Sequence, residues 1–302
     1  MTFSSHKSWL GSGMLLLTAL IWGLAFVAQS VAMDSIGPFA FISVRNLIGA
    51  AVLLPVLSIL KKKAPPVHRE SADKKKLVIG GILCGLALCV ASCLQQIGIS
   101  KTTVGKAGFI TALYVVLVPI CGLFFRRRVP GAVWFSVALA VVGLYFFCMS
   151  ESFTVAPGDL YVAACAVAFT LHILIIDHFS PFVDGVKLSF IQFLVAGVVA
   201  AVPALGLEAD TIMNLPAAWA PVLYAGVLSS GVAYTLQIIG QRFTSPVLAS
   251  LILSLESVFA VLGGMVLLHQ MPTAREMIGC VLMFAAIVLS QVMMRPKEEE
   301  RV

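Results

Sequence analysis

Residues 94–122 read LQQIGISKTTVGKAGFITALYVVLVPICG, and residues 236–264 read LQIIGQRFTSPVLASLILSLESVFAVLGG. Aligned without a gap, the two stretches are identical at 10 of 29 positions. Because an apolar composition raises chance identity, the polar and glycine matches carry the most weight. These matches are Gln95 with Gln237, Gly98 with Gly240, Thr102 with Thr244, and Gly122 with Gly264. The pattern predicts a duplicated chain whose two copies are offset by 142 residues.

The composition predicts that most of this chain lies in a lipid bilayer. Hydrophobic residues make up 60% of the 302 residues, charged residues make up only 11%, and the mean hydropathy is +1.03. In a soluble domain about a quarter of the residues are charged. A spanning helix needs about 20 mostly apolar residues, and these runs lack the alternation of barrel strands. Ten segments are long enough, at 11–33, 38–60, 77–99, 103–124, 130–149, 157–177, 186–206, 216–240, 246–268 and 274–294.

These spans divide into two sets of five. We expect residues 11–149 to form the first five-helix repeat, residues 157–294 the second, and residues 295–302 a cytoplasmic tail. Since five is odd, the second copy must enter the membrane from the opposite side. The predicted fold is an all-α integral membrane protein of ten transmembrane helices in two inverted repeats. Such repeats are typical of secondary transporters with a midplane site, although channels and membrane enzymes can also be duplicated.

The basic residues predict the orientation of the spans. With the N-terminus placed inside, 16 of the 20 Lys and Arg residues fall on the inner side. Only Lys101, Lys106 and Arg275 fall outside, and Arg45 lies within a span. Because basic residues are enriched in cytoplasmic loops, both termini are predicted to be cytoplasmic.

Several common sites are missing from the sequence. The seven cysteines lie in apolar segments, and no CxxC pair or Cys/His cluster occurs. The chain contains no phosphate-binding loop, no HExxH and no Gly-x-Ser-x-Gly, and its basic runs have no interleaved aromatic residues. The sequence therefore predicts no metal, no cofactor, no enzymatic activity and no nucleic-acid partner.

Two ionisable residues are predicted to lie deep in the membrane, where charge is costly and usually functional. Glu256 lies about 14 Å and Arg45 about 10 Å inside their spans at 1.5 Å per residue. Glu256 is predicted either to exchange a proton for a cationic substrate or to form a structural hydrogen bond or a pair with Arg45. Arg45 either holds a substrate carboxylate or locks its span to a neighbour. Lys106 lies near a span end and is expected to reach the interface.

Polar and aromatic side chains recur at helical spacing in the other central spans. Trp22, Phe26 and Gln29 share a face of the first span, and Tyr234 and Gln237 share a face of the eighth. We expect a pocket suited to flat or cationic ligands, and the alternative is helix–helix hydrogen bonding. The predicted substrate-binding residues are Trp22, Phe26, Gln29, Arg45, Gln95, Tyr114, His172, Tyr234, Gln237 and Glu256, with Glu256 also coupling protons. Ser250, Ser254 and Ser257 form a rival face on the ninth span.

Four motifs carry a family resemblance that covers residues 11–294. They are Trp22-Gly23-Leu24-Ala25-Phe26, Arg45 with Ala50-Ala51, Lys106-Ala107-Gly108-Phe109-Ile110-Thr111, and Leu255-Glu256-Ser257-Val258-Phe259-Ala260. With these motifs the chain resembles the drug/metabolite transporter superfamily, and specifically the bacterial EamA-type permeases. The resemblance implies a central cavity walled by spans 1–4 and 6–9, with spans 5 and 10 peripheral. It also implies a bacterial inner-membrane location, among membrane lipids.

The resulting expectation is a secondary active transporter that moves a small metabolite across the inner membrane with proton coupling. The substrate is expected to be an amino acid or a related amphipathic or cationic compound. A flippase for a lipid or a lipid-linked metabolite on the same fold is the alternative, and a membrane-embedded enzyme or sensor is a third class. A homodimer and a monomer both stay open.

Overall fold

The computed structural model describes residues 5–63, 73–102, 104–124, 131–148, 157–267 and 273–293. Within these ranges the chain is helical and contains no strand. The first half comprises α1 (Ser5–Ala32), α2 (Pro38–Lys63), α3 (Lys74–Ile99), α4 (Val104–Thr111), α5 (Tyr114–Phe124) and α6 (Gly131–Cys148). The second half comprises α7 (Pro157–Phe179), α8 (Gly185–Leu207), α9 (Ala209–Ile212), a 3₁₀ turn (Leu215–Ala218), α10 (Trp219–Leu223), a π-helical segment (Tyr224–Tyr234), α11 (Thr235–Gln241), α12 (Pro246–Leu253), α13 (Glu256–Leu267) and α14 (Ala274–Met293).

Eight helical stretches of the described residues are long and apolar enough to cross a membrane. They are Trp9–Ala32, Pro38–Leu60, Lys74–Ile99, Ala107–Phe124, Pro157–Phe179, Gly185–Leu207, Leu215–Gln241 and Pro246–Leu267. The fifth and tenth predicted spans correspond to α6 and α14, whose apolar stretches are the shorter Trp134–Gly143 and Met277–Ala286. The predicted cytoplasmic tail, 295–302, lies outside the described residues, as do Arg69 and the run Arg126-Arg127-Arg128.

Two helices begin directly after an aspartate that caps their first turn. The Asp73 carboxylate accepts the Lys76 N–H over 3.1 Å at the start of α3, and the Asp184 carboxylate accepts the Lys187 N–H over 2.9 Å at the start of α8. The hydrogen bond from Lys76 lowers the pKa of Asp73, because it stabilises the carboxylate form. These caps satisfy N–H groups that have no partner within the helix.

Two glycine pairs bring helices into close contact at equivalent places in the two halves. A Cβ atom on Gly158 of α7 would lie 2.8 Å from the Gly98 carbonyl oxygen of α3. A Cβ atom on Gly240 of α11 would lie 3.0 Å from the Gly11 carbonyl oxygen of α1. Because any side chain would push the backbones apart, these four positions allow the close approach that van der Waals packing in a membrane requires.

The helices α6 and α14 pack chiefly against each other, and their contacts with the other helices are few. The larger body is built by α1 against α13, α2 against α8, and α3 against α7 and α8. This arrangement places the fifth and tenth predicted spans at the edge of the bundle, as the resemblance implied.

The predicted spans 103–124 and 246–268 are not continuous helices. Each is interrupted by a two-residue turn, at residues 112–113 between α4 and α5 and at residues 254–255 between α12 and α13. Within the turns the Leu113 N–H bonds Ile110 O and the Leu255 N–H bonds Ile252 O, three residues back and over 3.2 Å in both cases. The breaks lie 142 residues apart, which is the offset of the sequence duplication.

The eighth predicted span, 216–240, is also not a regular α-helix. Its central part from Tyr224 to Tyr234 is π-helical, whereas the matching residues 82–92 lie inside the α-helix α3. Two α1 side chains reach carbonyl groups of this π segment. Thr18 Oγ1 donates to Ala233 O over 3.0 Å, and Trp22 Nε1 donates to Ser229 O over 3.3 Å. Since π-helical turns frequently occur at functional sites, we expect this segment to contribute to a binding site.

Candidate functional site

A central cavity lies where the two helix breaks and the π segment meet. Its empty volume is about 420 Å³, including the part that opens to solvent. The lining residues are Trp22, Phe26, Gln29, Arg45, Gln95, Thr111, Tyr114, Phe169, Ile173, Ser229, Tyr234, Gln237, Leu253 and Glu256. Nine of the ten side chains predicted from the sequence to bind substrate are among them.

His172 is the predicted site residue that does not line the cavity. Its side chain is fully buried, and Nε2 lies 3.1 Å from Gln192 Oε1 of α8. Its ring packs edge-on to Phe169 and Tyr234, with centroid distances of 6.5 and 5.9 Å. Direct substrate contact by His172 therefore stays a prediction, since its ring neighbours Phe169 and Tyr234, and not His172 itself, are among the lining residues.

Glu256 is the carboxyl group of the cavity. It is the first residue of α13 and is 4% exposed, and Oε1 accepts a hydrogen bond from Tyr114 Oη over 3.0 Å. Tyr114 is likewise the first residue of α5. Both helix breaks thus present a side chain at the start of the second helix, and these two side chains meet inside the cavity.

The serine face of the ninth predicted span has a different role. The Ser254 and Ser257 hydroxyls each donate to a carbonyl three residues back, Leu251 O and Ser254 O, over 2.7 Å. Ser257 Oγ also lies 3.7 Å from Met283 Sδ of α14. Glu256 lines the cavity, whereas Ser250, Ser254 and Ser257 are not among the lining residues. Such hydroxyl–carbonyl bonds compete with the helix ladder next to the break.

Arg45 is the guanidinium group of the cavity and is 3% exposed. Its Nη2 donates to Ser229 Oγ over 2.7 Å, its Nε to Ser230 Oγ over 3.2 Å, and its Nη1 to Gln29 Oε1 over 3.5 Å. Among the described residues no carboxylate oxygen lies within 4.0 Å of it. The permanent Arg45–Glu256 pair that was one alternative from the sequence is therefore not formed, although both side chains line the same cavity.

Amide groups and rings complete the wall. Gln95 Nε2 donates to Thr111 Oγ1 over 3.2 Å, and Gln237 Oε1 has no partner among the described residues. The rings of Trp22 and Tyr234 lie 4.4 Å apart. The cavity therefore combines one cation, one carboxyl group, amides and five aromatic side chains, a composition suited to a small amphipathic molecule.

Ser229 is the functional candidate that the sequence reasoning missed. Ser229 lines the cavity and accepts a hydrogen bond from Arg45. In a regular α-helix Ser230 and Tyr234 would share the cavity face, and Ser229 would lie off that face. The π-helical turn changes that phase. The run Gly226-Val227-Leu228-Ser229-Ser230-Gly231 was the available signal, since small and hydroxyl-bearing residues favour close packing and irregular helices. The side chain of Lys106 lies outside the described residues.

Comparisons with known proteins identify the family of the chain. Two consecutive stretches, residues 9–149 and 156–291, each match the model of the EamA-like transporter family. The chain belongs to that family. It is a multi-pass membrane protein of a transporter family, as the resemblance in the sequence motifs had indicated.

Two relatives named as transporters are similar over most of their length. An uncharacterized transporter of Archaeoglobus fulgidus is 32% identical over 285 residues, covering 91% of this chain and 83% of the relative. The uncharacterized transporter YoaV of Bacillus subtilis is 23% identical over 280 residues, covering 90% and 93%. One chain of known crystal structure superposes with a TM-score of 0.73 at 19% identity, covering 96% of this chain and 98% of that one. At this identity the likeness shows a common fold alone.

Proposed function

We propose that this protein is a secondary active transporter that exchanges protons for a small metabolite across a bacterial inner membrane. The substrate is an amino acid or a related amphipathic or cationic compound. The single observation that carries the proposal is Glu256, a buried carboxyl group that lines a cavity between two broken helices. Such a group holds either a proton or a cationic group of the substrate, and this exclusion couples the two movements.

We also propose that the chain forms ten transmembrane helices as two inverted repeats, with both termini in the cytoplasm. A contact between residues that are equivalent in the two halves supports the repeat. Tyr114 bonds Glu256, its counterpart 142 residues later. A residue contacts its own counterpart only close to a symmetry axis, so this pair favours a pseudo-two-fold axis through the cavity. Discontinuous helices at such an axis are typical of secondary transporters.

The test is substrate-driven proton movement in liposomes that contain the purified protein. A pH-sensitive dye inside the liposomes reports protons while candidate metabolites are added outside. Glu256→Gln is expected to remove proton movement and the pH dependence of uptake, because the amide cannot exchange a proton. Asp210→Asn is the matched control, since Asp210 is an exposed carboxylate outside the cavity.

Proton-coupled uptake that persists in the Glu256→Gln protein would contradict the assigned role. Movement of a fluorescent phospholipid between leaflets, without uptake of any soluble metabolite, would favour the flippase instead.

A further inference from the structure

The guanidinium of Arg45 carries a charge that its surroundings do not neutralise. Its three hydrogen-bond acceptors are two serine hydroxyls and one amide oxygen, all of them uncharged. An arginine side chain does not lose its proton in proteins, so the charge is permanent. A buried charge without a partner of opposite sign is costly, both in protein interiors and at membrane depth.

The bonds hold the guanidinium in place without using all its donors. A guanidinium has five N–H groups, and the bonds to Ser229, Ser230 and Gln29 occupy one on each of the three nitrogens. One N–H on each terminal nitrogen thus has no acceptor among the described residues. The Phe41 ring, 5.7 Å from the guanidinium carbon, supports the group from the side. A positioned guanidinium with a donor free on both terminal nitrogens suits a planar acceptor with two oxygens.

We infer that Arg45 is the anion subsite of the cavity and binds a carboxylate of the transported molecule. This inference rests on the proposed transport function and narrows its substrate class to carboxylate-bearing compounds. A dianion such as phosphate fits less well, because Arg45 is the single cation that lines the described cavity and Glu256 lies in the same space. The aromatic walls then contact the uncharged body of the substrate.

The alternative is that Arg45 serves only to lock α2 to the π segment. Both roles predict that a variant loses stability or activity, so neither measurement separates them. Selectivity for the carboxylate does separate them, because a purely structural arginine would not distinguish an acid from the amide of equal shape.

The experiment uses the purified full-length protein in detergent and four probes with one phenyl group each. They are 3-phenylpropanoate, L-phenylalanine, 2-phenylethylamine and 3-phenylpropanamide, and binding is read as the ligand-induced rise in Tm. We expect the two carboxylates to raise Tm and the amide and the simple amine to bind at least about tenfold more weakly, which is the typical strength of a hydrogen bond to a charged group. Inorganic phosphate is expected to have no effect.

In Arg45→Gln the advantage of 3-phenylpropanoate over 3-phenylpropanamide is expected to vanish, whereas Arg242→Gln, at an exposed arginine, keeps it. Arg45→Lys keeps the charge without the planar donor pair and should bind the carboxylates more weakly than the native protein. Equal responses to acid and amide, no response to either carboxylate, or a larger response to phosphate would each overturn the inference.

A second measurement applies if Arg45→Gln does not fold. The native protein is treated with 2,3-butanedione, which modifies guanidinium groups, and the modified peptides are measured by mass spectrometry. 3-Phenylpropanoate should slow modification of Arg45 and not of Arg242, and an unchanged Arg45 rate overturns the inference. Carboxylate selectivity without any transport in liposomes would contradict the proposed function alone, whereas transport of cations or neutral molecules without carboxylate selectivity would contradict this inference alone.

Discussion

Tyr114 Oη donates a 3.0 Å hydrogen bond to Glu256 Oε1, and the two residues occupy equivalent positions in the two halves of the chain. Each is the first residue after a helix break, and each side chain is buried. One ancestral position thus provides the donor in one half and the acceptor in the other. The two halves therefore contribute a phenol and a carboxyl group to the same contact.

Replacing Tyr114 by phenylalanine tests the structural part of this contact. The Glu256 carboxyl group would lose its donor in a buried site, which costs about 1–3 kcal/mol. We expect Tyr114→Phe to lower Tm by several degrees in a thermal unfolding measurement, while uptake stays pH-dependent because Glu256 is still present. Tyr145→Phe is the control, since the Tyr145 ring is half exposed at the edge of the bundle. An unchanged Tm in Tyr114→Phe would show that the bond is not formed.

Thr102 and Thr244 are counterparts in the duplication, and replacing each of them is expected to have a different effect on stability. Thr102 Oγ1 donates to Asp159 Oδ1 over 2.6 Å, whereas Thr244 Oγ1 is buried and has no hydrogen-bond partner among the described residues. Thr102→Val removes a bond to a charged group, worth about 1.5–3 kcal/mol. Thr244→Val removes a hydroxyl that is buried without a compensating hydrogen bond. We expect Tm to fall in the first variant and to stay equal or rise in the second, and equal losses in both would contradict this assignment.

Gly158 tests the close contact of α7 with α3. An alanine Cβ there would lie 2.8 Å from the Gly98 carbonyl oxygen and from the Lys101 backbone, and neither can move without separating the helices. We expect Gly158→Ala to destabilise the protein by about 1–3 kcal/mol, as overpacking usually does. Gly13→Ala in α1 is the control, because nothing lies within 4 Å of the added carbon. The change in the free energy of unfolding should be a loss in Gly158→Ala and a small gain in Gly13→Ala, since alanine favours a helix.

Glu208 tests a contact between α2 and the loop after α8. Its carboxylate accepts the Phe39 N–H over 3.1 Å and the Ala40 N–H over 2.7 Å, and so caps α2 from another part of the chain. We expect Glu208→Ala to lower stability by about 0.5–2 kcal/mol, the usual cost of a lost cap. Glu208→Gln keeps one acceptor oxygen and should lose less. Asp210→Ala, at a neighbouring exposed carboxylate, should leave Tm unchanged, and an equal loss there would refute the capping role.

Much of the cavity could be predicted because its polar residues stand out in apolar spans. Arg45 and Glu256 are conspicuous at depth, and helical spacing brings Trp22, Phe26 and Gln29 to one face. Ser229 could not be predicted from regular 3.6-residue spacing, because the π segment alters the phase. The sequence likewise does not show that Phe169 and Tyr234 line the cavity, whereas His172 packs against both rings without lining it.

The sequence by itself determined the apolar segments, the duplication and the family, because bilayer thickness demands long apolar runs and repeated motifs survive in the order of residues. Only the tertiary structure decided which face of each helix meets the cavity, where α4–α5 and α12–α13 break, and that Glu256 bonds Tyr114 while Arg45 bonds uncharged groups. Those features depend on the rotation and close packing of neighbouring helices, and contacts between residues more than 100 positions apart set both.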